Sequence, residues 1–393
     1  MPGKSAELRS ALDTQAKTIT KLFVNAGYDY IVPDILQPAD IFLDRSGEDI
    51  RTRTYVFTDP AGQELCLRPD LTVPTCRYHL QHGDIDGEVT RYCYSGPAFR
   101  FQPDDDDDLR PREFDQVGLE HYGAPDAEKA EAEIIALTIE AVRGAGLENF
   151  QVKIGDLGLF NALLASIDMP ERWRRRLRHH FWRPQTFHET LERLVAEPGA
   201  SVGVEMEFLG GWVSDRREEI ASTLEHLLSL RAIPLVGGRS VDEIATRVLE
   251  KVEDRRAPPL SESSAALIRD YIEVAGPPRD ALHRMMKLIV SADLDLSTGM
   301  AAFARRVTLM QERGVDIDAC TFLAEFGRNL EYYTGFVFQI EYQTPAGAMA
   351  IAGGGRYDTL LSDIGARQPV PAVGCAIHTE RLLAAVQAEA GLQ

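Results

Sequence analysis

The sequence predicts an α+β fold in which an antiparallel sheet is flanked by helices and split by a helical insertion. Three features predict it: strand candidates that come as hairpin pairs, amphipathic helices at both ends, and a change to helical periodicity and dense charge between about 170 and 290. The first helix covers residues 5–26, with Leu8, Leu12, Ile19 and Phe23 on one face and Gly27 as its stop. A strand-like run at 28–36 follows. Residues 54–58 and 64–67 flank the turn Asp59-Pro60-Ala61-Gly62 and make one hairpin. Residues 89–101 and 113–122 make a second, joined by the polar stretch 102–112. Helical period returns over 128–143, with Ile135, Ile139 and Val142 on one side, and 150–154 is a short strand. The helical segment is broken at Pro198-Gly199 and at Ala275-Gly276-Pro277-Pro278. Beyond it, 334–343 and 348–351 make a third hairpin, and 373–377 leads into a last helix at 380–389. The expected domains are therefore the first part of a sheet core (1–169), the helical insertion (170–290) and the second part of the core (291–393).

At about 150 residues per domain, 393 residues suggest two or three domains. Apolar residues at 44% and charged residues at 26% exclude a disordered or fibrous chain. Forty-two Lys and Arg against 61 Asp and Glu leave a net charge of −19, which argues against a polyanion as the main partner. No run of about 18 apolar residues exists to cross a bilayer, and the N-terminus enters charged helical sequence without the apolar core of a secretory signal. The expectation is a cytoplasmic chain with no membrane partner. Cys66, Cys76, Cys93, Cys320 and Cys375 are scattered and odd in number, so they read as reduced, buried small hydrophobes.

Four segments carry the chemistry. They are Leu67-Arg68-Pro69-Asp70-Leu71-Thr72, then Phe99-Arg100 through Phe114-Asp115-Gln116-Val117-Gly118-Leu119-Glu120, then Arg328-Asn329-Leu330-Glu331-Tyr332-Tyr333-Thr334-Gly335, and Ala352-Gly353-Gly354-Gly355-Arg356-Tyr357-Asp358 with Glu380-Arg381-Leu382 downstream. In this order and spacing they resemble histidyl-tRNA synthetase, a class II aminoacyl-tRNA synthetase, over roughly 5–165 and 300–390. The resemblance implies a class II synthetase-like antiparallel sheet of six or seven strands, dimeric through the region of the opening helix. A site selecting histidine must cage an ammonium, a carboxylate and two distinct ring nitrogens, each with its own partner. By resemblance, Asp70, Thr72 and Gln116 hold the α-amino group, and Glu120 and Tyr333 the imidazole with Tyr332 beside them. Arg100 and Arg328 face the carboxylate or an activating phosphate.

Departures from the synthetase pattern weaken the nucleotide site. Gln102 stands where the family has a carboxylate, and Asp104-Asp105-Asp106-Asp107-Asp108 occupies the loop that meets ATP and tRNA, where five carboxylates repel both. His378 replaces a glycine of the glycine-rich passage after Gly374, and the chain ends about a dozen residues after Arg381, so no anticodon-binding domain is expected. A histidine cage with a damaged ATP site resembles the family of ATP phosphoribosyltransferase regulatory subunits, which are synthetase paralogues. That resemblance implies a non-catalytic chain without cofactor, metal or tRNA. It would be a homodimer within a hetero-oligomer with the short-form catalytic subunit, carrying histidine as allosteric ligand for feedback inhibition. Two alternatives stay open: a shortened histidyl-tRNA synthetase-like enzyme that adenylates histidine using Arg100, Arg328 and Arg381, and a free-standing histidine-binding module.

Other motifs weigh less. Gly353-Gly354-Gly355-Arg356 lacks the Lys-Ser/Thr of a phosphate loop and reads as a turn. His179-His180 lacks a third metal ligand, and there is neither a His-Glu-x-x-His nor a Gly-x-Ser-x-Gly motif. The basic run Arg172, Arg174, Arg175, Arg176 and Arg178 reads as a solvated helix face or as a surface for an anionic partner.

Overall fold

The computed structural model describes residues 3–43, 52–83, 88–102, 111–196, 216–230, 240–327 and 332–391. The chain forms two compact units, Met1–Leu163 with Tyr271–Gln393, and Leu164–Asp270. The sequence placed those boundaries at 170 and 290. The C-terminal difference is the helix Pro278–Ser291, whose buried face of Ala281, Met285 and Ile289 packs within the sheet unit, against the helix Ser297–Glu312 and the strand Cys320–Leu323.

The strands, in chain order, are β1 (Asp29–Tyr30), β2 (Leu36–Pro38), β3 (Val56–Thr58), β4 (Glu64–Leu67), β5 (Thr90–Phe99), β6 (Glu113–Tyr122), β7 (Gln151–Asp156), β8 (Ala275–Gly276), β9 (Cys320–Leu323), β10 (Phe336–Thr344), β11 (Gly347–Arg356) and β12 (Ala372–His378). Nine form one sheet in the order β1-β5-β6-β12-β11-β10-β7-β9-β8, and β2-β4-β3 form a small second sheet. The centre, from β5 to β7, is antiparallel as the hairpins predict. The margins add two parallel pairs, β1 with β5 and β7 with β9, so the sheet is mixed. Both parallel partners are separated by long connections, which parallel pairing requires and local sequence does not announce. The run 28–36 is not one strand, because the chain leaves the large sheet after Tyr30 and joins the small one at Leu36.

The opening helix, Ala6–Asn25, is capped by Ser5, whose hydroxyl accepts from the Leu8 N–H, and ends before Gly27 at φ +89°. Leu12, Ile19 and Phe23 are buried as expected, but Leu8 is 39% exposed and Gln15 takes a place on the buried face. The helices Ala127–Gly144 and Ser297–Glu312 pack on each other, and Ala127–Gly144 also lies against β10, β11 and β12. Its Glu131 is shared by two buried arginines, Arg306 and Arg356. Arg306 also reaches Asp156 at 2.6 Å, and Arg356 reaches Asp358 at 2.8 Å. Every charge in this cluster has a partner, which is the condition for holding charges in a core.

Gly353–Arg356 is a correction to the expected turn, since it continues β11 through the sheet centre. The five cysteines are free and buried, and burial pushes the thiols of Cys66, Cys93 and Cys320 up to about 12. Among the described residues no helix is long and apolar enough to cross a membrane.

In the second unit the basic run of the helix Glu171–His180 is consumed internally. Arg172 and Arg176 bond the buried Asp254 at 2.6 and 2.9 Å, with the Trp173 indole N–H as third donor. Arg174 donates to the carbonyls of Leu164 and Ile167, Arg175 pairs with Glu250, and Arg178 with Glu171. A buried carboxylate of the same unit accounts for Arg172 and Arg176, while Arg175 and Arg178 stay on the exposed face in surface pairs.

Candidate functional site

The antiparallel centre of the sheet builds a cavity of about 340 Å³ over one face. Side chains alternate along a strand, so Gln116, Gly118 and Glu120 of β6 share that face. Across from them, in register, stand His378, Ala376 and Gly374 of β12, and Gly353 and Gly355 of β11 pair with Ala376 and Gly374. Small residues leave the room. A Cβ at Gly374 would come within 1.6 Å of Glu120 Oε2, and one at Gly118 within 2.4 Å of the Tyr94 hydroxyl. Glycine at these two positions lets larger side chains lie flat on the strands.

Six of the eight residues expected at the site line this cavity: Asp70, Thr72, Arg100, Gln116, Tyr332 and Tyr333. Asp70 heads the helix Thr72–His82, and its Oδ1 accepts from the Val73 N–H at 3.1 Å. The preceding loop is held by the buried Arg68, which donates to the carbonyls of Pro97 at 2.7 Å and Pro33 at 2.5 Å. Asp70 Oδ2 and Gln116 Oε1 are buried acceptors with no hydrogen-bond partner among the described residues. Burial raises the Asp70 carboxyl, and the charge of Arg100 offsets part of that rise. Buried acceptors left without donors are costly, and a ligand that brings donors removes the cost.

Glu120 takes a different place. It is fully buried beside Gly374, where its carboxylate accepts from the Tyr94 hydroxyl at 3.0 Å and from the Tyr357 hydroxyl, with Thr72 a third hydrogen-bond partner. Burial pushes its carboxyl up to about 8 although all three hydroxyls favour the charged form. Arg328 and Glu331, like the aspartate run 104–108, lie outside the described residues.

The remaining motif residues hold the walls. Tyr332 packs against Tyr333 and Tyr357, with ring centroids 4.8 and 5.7 Å apart. The Thr334 N–H donates to the Arg356 carbonyl at 2.8 Å, and the Asp358 N–H to the Thr334 hydroxyl at 3.1 Å. Glu380 accepts from the Asp115 N–H and pairs with Lys4 at 2.6 Å, while Arg381 donates to the Ala350 carbonyl at 3.1 Å. His378 stacks on Phe114 at 4.8 Å, and the Arg100 guanidinium lies 5.2 Å from the same ring.

Sequence reasoning missed Tyr94 and Arg53. Tyr94 pairs with Gly118 across the β5–β6 hairpin, so counting the register outward from its loop could have placed it beside Glu120. Arg53 lines the cavity from a segment distant in sequence, and no local signal marks it.

The histidyl-tRNA synthetase family model matches residues 6–237 and 241–382. The ATP phosphoribosyltransferase regulatory subunit of Mesorhizobium japonicum is 34% identical over 374 residues, 93% of this chain and 96% of that protein. That of Rhizobium meliloti is 33% identical over 360 residues, 90% and 92% of the two chains. Among solved structures, an ATP phosphoribosyltransferase regulatory subunit/histidyl-tRNA synthetase from Bacillus halodurans C superposes with a TM-score of 0.69 at 22% identity, covering 98% of this chain and 82% of that one. Histidyl-tRNA synthetase from Nostoc sp. PCC 7120 superposes at 0.63 with 15% identity, covering 98% and 73%. The sheet unit thus has the histidyl-tRNA synthetase fold, and the chain belongs to the family of ATP phosphoribosyltransferase regulatory subunits.

Proposed function

We propose that this chain is the non-catalytic regulatory subunit of an ATP phosphoribosyltransferase, that it binds histidine in the cavity over the sheet, and that histidine bound there inhibits the complex. Phosphoribosyl transfer is carried out by a short-form catalytic subunit, which this chain activates within a cytoplasmic hetero-oligomer built on its own homodimer. The observation that carries the ligand reading is the pair of buried acceptors without donors, Asp70 Oδ2 and Gln116 Oε1, at a cavity that also holds the Arg100 guanidinium. An α-amino acid supplies the missing donors through its ammonium and an anion for the guanidinium. Glu120 lies behind the cavity lining and holds the hydroxyls of Thr72 and Tyr357 toward the imidazole, and Tyr333 closes the ring side. A cavity of this size is at the small end of ligand pockets, which run from about 300 to 1,000 Å³.

Against the adenylating alternative stand three features. His378, which by the resemblance fills space that adenine needs, stacks on Phe114, Arg381 donates to the Ala350 carbonyl, and Gln102 is uncharged. Regulation then works by linkage: histidine shifts the complex toward its inactive arrangement by its differential affinity for the two states.

The test is histidine inhibition of the reconstituted complex. Glu120→Ala and Tyr333→Phe should each leave assembly and basal activity in place and make the complex resistant to histidine. Unchanged inhibition in both variants rejects the site. Histidine-dependent exchange of pyrophosphate into ATP by the purified chain decides between sensor and enzyme, and robust exchange would establish the adenylating reading instead.

A further inference from the structure

The helix Thr72–His82 serves two cavities with two faces. On one, Thr72 bonds Glu120, and Cys76 Sγ lies 3.3 Å from the Tyr122 hydroxyl. On the other, Pro74, Arg77, Tyr78 and Gln81, spaced as one side of a helix, line a separate cavity of about 270 Å³ that is bordered by the segment 32–37. No described residue lines both this cavity and the one over the sheet. Arg77 supplies its guanidinium, which is held in place without being neutralised. Gln37, only 3% exposed, donates through Nε2 to the Asp34 carbonyl at 2.7 Å and accepts from Arg77 Nη1 through Oε1 at 3.1 Å, and Arg77 makes no ion pair among the described residues. Arg306 and Arg356, by contrast, are closed on carboxylates of the chain. A guanidinium bonded to one neutral amide keeps its charge and most of its five N–H donors for something else. The walls are Pro33, Pro74 and the Tyr78 ring, which stacks on His82 at 4.5 Å and is braced edge-on by Tyr92 at 5.6 Å. Asp34 is the carboxylate among the described lining residues, so a ligand's first negative charge is matched by Arg77 and a second is opposed.

We propose that this cavity is a second ligand site, taking a small planar monoanion: a carboxylate on a flat or apolar body. Arg77 binds the acid group through the two-donor fork of its guanidinium, Gln37 is the positioning residue that aims the fork, and the proline and tyrosine walls hold the body. The site stands apart from the histidine reading, and neither depends on the other.

The experiment titrates benzoate, a planar monoanion, and inorganic phosphate into the purified full chain and its Arg77→Ala, Arg77→Lys and Asp34→Asn variants, with binding followed by ligand-detected NMR. The wild-type chain is expected to bind benzoate saturably and at least about fivefold more tightly than phosphate. Arg77→Ala should weaken benzoate at least about tenfold, and Arg77→Lys, which keeps the charge and loses the fork, should weaken it less. Asp34→Asn should tighten phosphate at least about twofold, a gain that damage to the fold does not produce. Absence of saturable benzoate binding by the wild-type chain, or equal binding by Arg77→Ala, overturns the site. Phosphate bound as tightly as benzoate, or unmoved by Asp34→Asn, overturns its selection for a single charge.

Discussion

Two buried acidic clusters lie on opposite faces of the same sheet, and they are built to opposite rules. Beneath the helix Ala127–Gly144, Glu131 and Asp156 are closed on Arg306 and Arg356, with Asp358 completing the set. On the cavity face Asp70 and Gln116 each keep an acceptor without a partner, and Glu120 has hydroxyls around it but no paired cation. The chain satisfies the first cluster from its own residues and leaves two acceptors of the second open, which the proposed ligand would fill. Removing a member should therefore unfold the first and merely empty the second.

Glu131→Ala should give the largest effect, a loss of about 3–5 kcal/mol of stability, because it strands two buried guanidiniums. Denaturant unfolding measures it, and a loss below about 1 kcal/mol would mean that the cluster is not holding the fold. Asp70→Asn should lower histidine affinity about tenfold to a hundredfold with stability unchanged or raised, since it neutralises a buried carboxyl whose Oδ2 has no hydrogen-bond partner among the described residues. A large loss of stability with affinity retained would reverse the assignment of the two faces.

Glu120 gives the comparison a pH signature. Its folded carboxyl is raised from about 4.5 to about 8, so the folded chain holds a proton that the unfolded chain sheds between those values. Its stabilising contribution is full below about pH 4.5 and is lost as pH rises through about 8, at up to about 1.4 kcal/mol per pH unit. Unfolding measured across that range should show the fall in the ligand-free chain, and Glu120→Gln should flatten it. An equally steep fall in the variant would assign the titration to another group. The smallest effect belongs to Arg175→Ala, whose pair with Glu250 is exposed on the arginine side. Stability should move by less than about 0.5 kcal/mol, and a larger shift would show that the basic run stabilises through its surface pairs as well as through Asp254.

The hairpins were readable because turn chemistry and alternation are local: the residues 113–122 and the turn at Asp59 fall where sequence put them. The short strand Cys320–Leu323 was not, because parallel pairing with β7 is made across the whole helical segment. The site divides the same way. Asp70, Gln116 and Tyr333 stand in motifs whose order carries a family resemblance, whereas Tyr94 depends on register and Arg53 on a tertiary approach with no pattern of its own. The basic run misled in one respect, since charge density alone does not reveal that Asp254, some 80 residues downstream, absorbs Arg172 and Arg176.

The central claim is that the unpaired face is a histidine site, and the direct measurement is titration of histidine into the purified chain, wild type and Asp70→Asn, followed by calorimetry. Saturable binding of one histidine per chain, lost or weakened at least about tenfold in the variant, is the predicted result. Absence of binding by the wild-type chain, or equal binding by the variant, would contradict it.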